Sequence, residues 1–160
     1  MVRRLQSKRL VIGIGNPLRG DDGVGALLAE QAAVQTAAEP GGSVAVRCVQ
    51  QLTPELAAEL ARLDAVLFID ACSVPAGALP KLMSLQPAGA TLEGTSGASH
   101  RLDPAGLLAV SQVLYGRAPE AQVLLVPARD FEHGMALSAE LRAVLPQART
   151  LLRQWLSGHA

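Results

Sequence analysis

Residues 65–71 read AVLFIDA, a run that is apolar on both faces and ends in an acid. A strand with one face in water alternates apolar and polar side chains. A strand with no polar face must be covered on both sides, as the central strand of a parallel sheet flanked by helices is. That requirement confines the chain to a layered α/β architecture. The remaining segments supply the layers. RLVIGIG (9–15) is a β-branched run halted by glycine, and DGVGALLAEQAAV (22–34) follows it with Val24, Leu27, Leu28 and Val34 spaced for one helix face. SVAVRCV (43–49) predicts a second strand, and TPELAAELARL (53–63) a helix with Thr53 as N-cap, Pro54 at its first position and Glu55 in its first turn. Residues 78–87 alternate weakly around Pro80 and read as an edge strand, where a missing donor is tolerated. Residues 88–100 lack periodicity and read as a loop.

Residues 102–116 predict a helix with Asp103 as N-cap and Pro104 inside it. Its inward side chains are Leu107, Leu108, Val110 and Leu114, and Gly116 stops it. AQVLLVPA (121–128) is another buried strand, and 137–158 a terminal helical segment that Pro146 should break or restart. Strand and helix alternate, which predicts one three-layer α/β domain over residues 1–160: a mostly parallel, twisted sheet of about five strands with right-handed crossovers.

Composition narrows the partners. The net charge is zero and aromatics make up 2%, so there is neither the basic footprint nor the stacking platform that nucleic acid requires. The basic start (Arg3, Arg4, Lys8, Arg9) is followed by an apolar run, Leu10 to Ile14, shorter than the roughly 7 to 15 residues of a secretory core. No stretch approaches the roughly 20 apolar residues of a membrane span. The chain is therefore expected to be cytoplasmic, without a membrane partner, and to act as a monomer. Cys48 and Cys72 are too few and too far apart for a disulfide framework or zinc cluster, and read as small core residues. Cys72, two residues past Asp70, has a second possibility of approaching a site there.

In sheets of this kind the site lies beyond the carboxyl ends of the strands. The polar residues so placed are the pair Asp21 and Asp22 after the first strand, Asp70 at the end of VLFID, and His100 after the glycine-rich loop. An aspartate before a helix ordinarily caps it, which accounts for Asp21 and leaves Asp22 seeking a partner. Asp70 ends so apolar a run that its charge calls for a cation or a metal. His100 alone is an ordinary loop histidine. Together, two carboxylates and an imidazole make a mixed oxygen and nitrogen site suited to nickel or zinc, with coordination positions left open.

Nucleotide loops fail the test. A dinucleotide fingerprint needs glycine at position 18, which is Leu, and the acid pair would repel a pyrophosphate. The Lys-Ser/Thr ending of a triphosphate loop, GxSxG and HExxH are all absent.

GIGNPLRGDDGVG (13–25), FIDAC (68–72), SHRLDPAGLL (99–108) and the late HGMALS (133–138) resemble, in that order, the motifs of the hydrogenase maturation endopeptidases. These enzymes trim the C-terminus of the [NiFe] hydrogenase large-subunit precursor. The resemblance implies that Asp22, Asp70 and His100 contact the metal and carry the chemistry. It also implies that this metal is nickel already installed in the precursor, with zinc or cadmium a possible occupant of the isolated protein. Some members carry Glu at the position of Asp22. Gly13, Gly15, Asn16, Asp21 and Gly23 are expected to shape the supporting loop. His133 stands outside the core site. Two other readings remain: a metal-sensing or escort protein that does not cut, and a peptidyl-tRNA hydrolase-like esterase. The GNP turn at Pro17 suggests the esterase, while the missing basic groove and the absence of a histidine soon after the turn oppose it.

Overall fold

The computed structural model describes residues 7–38, 44–89 and 101–158. Among these residues five strands form one sheet: β1 (Arg9–Ile14), β2 (Val44–Val49), β3 (Ala65–Ser73), β4 (Lys81–Leu85) and β5 (Glu120–Ala128). Their order is β2-β1-β3-β5-β4, with every pairing parallel except β4 against β5. The apolar run at 65–71 lies in β3, the middle strand, as a face covered twice requires. The strand holding Pro80's neighbours is at an edge, and it is the antiparallel one.

Alternation along the strands divides the core in two. Val11, Leu67, Ile69, Leu124 and Val126 pack under α1 (Val24–Ala37) and α4 (Ala139–Leu156). Leu10, Ile12, Ile14, Val66 and Phe68 face α2 (Leu56–Leu60) and α3 (Pro104–Tyr115). At the amino-terminal end of the sheet, Arg9 donates to the carbonyls of Trp155 and Leu156 and lies 4.4 Å from the Trp155 ring centroid. This bond set fastens the end of α4 to the start of β1.

Several local expectations change. Val34 is 73% exposed. The buried stripe of α1 runs through Val24, Leu28, Ala29 and Ala32, and Val34 stands roughly 200° round the helix from Ala32. Leu114 is exposed together with Val113 and Tyr115, because the last turn of α3 projects beyond what covers the rest of it. α2 begins at Leu56 instead of 54 and ends at Leu60; Thr53 and Pro54 form the turn before it, with Thr53 and Pro54 carbonyls accepting from Leu56 and Ala57. Cys48 is exposed, on β2, which pairs with β1 alone among the described residues.

Pro146 does not break α4, which runs unbroken from Ala139 to Leu156. The proline sits on the exposed side, where the orphaned carbonyl one turn earlier meets water. Its cost of about 3 kcal/mol is outweighed by Leu152 and Trp155, buried beyond it at about 1.5–3 kcal/mol or more each. α3 keeps its expected signals: Asp103 caps it by accepting from Gly106 N–H at 2.7 Å, Pro104 opens it and Gly116 closes it with a positive φ. Among the described residues no helix is long and apolar enough to cross a membrane.

Candidate functional site

The chain after β1 leads to α1 on one face, while the chain after β2 leads to α2 on the other. The sheet therefore changes direction between β1 and β3, and a crevice opens at their carboxyl ends. Residues 15–23 form one wall of that crevice. Gly15 has φ of 133° and sits so close to the Asp22 carbonyl that a Cβ there would overlap it. Its N–H donates to the Val49 carbonyl at 2.9 Å, which ties the loop to β2. Asn16 closes a local turn, its Oδ1 accepting from Leu18 N–H at 2.9 Å. The Asn16 N–H donates to Oδ2 of Asp22 at 2.8 Å, which holds that carboxylate over the turn. Gly23 packs on Pro17, and a Cβ there would come within 3.0 Å of the Pro17 Cα.

Gly13 and Gly25 bring α1 down onto the sheet. A Cβ on Gly13 would overlap the Gly25 carbonyl, and one on Gly25 would overlap the Ile14 carbonyl and lie 2.8 Å from the Ile69 carbonyl oxygen. The helix start is thus in backbone contact with both β1 and β3. Asp70 does not end the strand as expected: β3 runs on to Ser73 beside β5, and Asp70, half-buried on the face of Val66 and Phe68, is the first residue beyond the pairing with β1, which stops at Ile69. Its carboxyl is pushed up to about 6, first by burial and then by the charge of Asp22; a hydrogen bond from Ala71 N–H and the charge of Arg101 partly offset this. Asp22 and Asp70 are therefore electrostatic neighbours across the crevice. Cys72 lies two residues along the same face, partly buried. His100 lies outside the described residues, as do residues 90–99 of the expected loop; Arg101, its neighbour in the chain, is the residue whose charge Asp70 feels.

Asp21 does not cap α1. Gly23 holds the N-cap position, and Asp21 sits in a 3-10 turn, Gly20–Gly23, with no accessible surface. Its Oδ2 accepts from Arg129 N–H at 2.8 Å, Asp130 N–H at 3.0 Å and the Ser138 hydroxyl at 2.7 Å, while Oδ1 accepts from Ser138 N–H at 2.7 Å. Burial raises its pKa, but these four bonds together outweigh it and hold the carboxyl below the usual range. Ser138 also caps α4, accepting from Leu141 N–H at 3.1 Å. Backbone bonds run beside this knot: Gly20 N–H to Gly134, Gly134 N–H to Leu18, and Asp21 N–H to Asp130, with Arg19 and Gly134 bridged as in a short parallel ribbon. The HGMALS stretch thereby forms the second wall. His133 is exposed at its start, and Leu18 and Met135 are exposed on the two strands of the ribbon.

Two electrostatically coupled carboxylates offer oxygen donors to a hard or borderline cation, and a carboxyl pushed up to about 6 suits proton transfer. Among the described residues no three His, Cys, Asp or Glu side chains are arranged to hold an ion. The third donor expected from the sequence, His100, falls outside them.

No protein-family model matches the chain, and no curated protein sequence does. Solved structures match over nearly all of it. Hydrogenase maturating endopeptidase HybD from E. coli is 20% identical, with a TM-score of 0.73 over 94% of this chain and 93% of its own. The [NiFe] hydrogenase maturation protease HycI from Thermococcus kodakarensis KOD1 is 19% identical, with a TM-score of 0.67 over 98% of this chain and 94% of its own. An endopeptidase from Escherichia coli is 23% identical, with a TM-score of 0.67 over 91% and 89%. The chain is thus similar in fold to hydrogenase maturation proteases.

Proposed function

We propose that this chain is an endopeptidase that removes the C-terminal extension of an [NiFe] hydrogenase large-subunit precursor once nickel has been inserted. The nickel belongs to the substrate, and Asp22, Asp70 and His100 are its contacts on the protease. The observation that carries this reading is the acid pair Asp22 and Asp70 at the sheet's switch point, near enough for the charge of Asp22 to act on Asp70. The fold shared with solved maturation endopeptidases supports it.

The division of labour follows from the chemistry of the residues. Asp22 is oriented by the Asn16 N–H through Oδ2, and its other oxygen is the one available to the visiting ion. Asp70 must give up a proton to become a donor, since burial and the Asp22 charge favour its neutral form near pH 6. A precursor without nickel leaves the two acids repelling each other. A precursor with nickel neutralises them, so docking is favoured by the loaded state. Held by these residues, the ion would polarise a carbonyl or water at the scissile region, with a carboxylate of the pair assisting proton transfer.

Incubating the purified protein with nickel-loaded and nickel-free precursor, and reading cleavage by mass spectrometry, tests this. Cleavage of the loaded form alone is expected. Binding without cleavage would make the protein an escort, and equal cleavage of both forms would remove the metal from recognition.

A further inference from the structure

Asp21 is a fully buried acid that the mechanism above does not use. It spends four hydrogen bonds on residues 129, 130 and 138, more than a hundred positions away, and none on its own helix. A helix cap or a solvated turn would need nothing of the kind. What those bonds fix is the orientation of a 3-10 turn, in which successive side chains point about 120° apart. With Asp21 held toward the 129–138 segment, the next side chain, Asp22, is turned away from it. That is where it accepts from Asn16 N–H and where its charge reaches Asp70.

We propose that Asp21 and Ser138 form a latch that positions Asp22: the two are positioning residues for the acid pair, acting through the turn between Gly20 and Gly23. The backbone bonds between 18–21 and 130–134 bring the walls together, and the latch sets the rotation of the turn within them. Ser138 serves because its hydroxyl donates to Asp21 while accepting from Leu141, which couples the start of α4 to the acid loop. The role of Asp22 as a substrate contact rests on the reading above; the geometric coupling does not.

The Asn16 amide reports where the Asp22 carboxylate is, because Asp22 Oδ2 is its acceptor. Native-state hydrogen exchange on 15N-labelled protein therefore reads the latch directly. Asp21→Asn keeps the Ser138 cap but sets an NH2 group against a backbone N–H. Ser138→Ala removes the hydroxyl and keeps the backbone bond. Both are expected to lower protection of the Asn16 amide about tenfold, the size of one hydrogen bond. Ser138→Thr, which retains the hydroxyl, is expected to behave as the parent. In the precursor assay the first two variants are expected to lose kcat/KM by about 10- to 100-fold, the cost of a misplaced substrate contact. Unchanged Asn16 protection, with altered exchange confined to Ser138 through Leu141, would reduce Ser138 to a cap and overturn the latch. If Asp21→Asn does not fold, Ser138→Ala decides alone. Failure of the unsubstituted protein to cleave would remove the protease reading and leave the exchange result standing.

Discussion

Asp21 and Asp70 are one side-chain type in opposite electrostatic settings. Asp70 is partly desolvated beside a like charge, so its folded pKa of about 6 lies above the ordinary value of 3.8. Between those values the folded state holds the extra proton, and stability falls as pH rises through that window. Asp21 is the reverse: its folded pKa is lowered, so its contribution is present above the ordinary value and is lost as pH falls below it. Asp70→Asn is therefore expected to raise the thermal midpoint at pH 7.5 by about 2–4 °C for each kcal/mol of relieved repulsion. The gain should shrink toward nothing as pH approaches 4; melting curves across that range check it. On the proposed function the same proton would compete with a metal ion for Asp70. Zinc or cadmium affinity of the isolated protein, measured by calorimetry, is expected to weaken as pH drops through about 6 and to be lost in Asp70→Asn.

At the level of elements, the site depends on how closely α1 approaches the sheet. Gly25 has no room for a side chain against Ile14 and Ile69, and Gly13 none against Gly25. Gly25→Ala must lift the helix start, with an expected cost of about 1–3 kcal/mol from overpacking, read as a lower midpoint in urea. Because Asp22 precedes that helix by two residues, loss of precursor cleavage should exceed the loss of folded protein. The elements themselves were legible in the sequence because strand and helix periods are local properties: β3 as the doubly covered strand, the Asp103 cap and the Gly116 stop all read directly. Val34, Leu114 and Pro146 were not, since each depends on which part of a helix the rest of the molecule covers. Asp22 and Asp70 could be singled out as acids at strand ends. The knot at Asp21 could not, because three of its four partners are backbone N–H groups, and every residue except proline has one. Ser138 left only the faint signal of its place in HGMALS.

Across the whole molecule, the acid crevice and the attachment of α4 occupy opposite ends of the sheet. Arg9 fastens the end of α4 to the start of β1 at the amino-terminal end, and the acid crevice with its two loop walls lies at the carboxyl end. Leu18 and Met135, 58% and 78% exposed, stand on the ribbon that joins those walls. On the proposed function, they are apolar side chains of these walls that the precursor would meet. The double variant Leu18→Ser, Met135→Ser is expected to raise KM for the precursor about tenfold, while leaving the melting midpoint near that of the parent; steady-state kinetics and calorimetry check the two halves. The ribbon has a consequence in time as well. One wall is translated early and the other only after residue 129, so on the ribosome the acid loop waits for most of the polypeptide to emerge before its shape is set. A half-made chain has no finished crevice, and the acid loop takes its shape only when synthesis is nearly over.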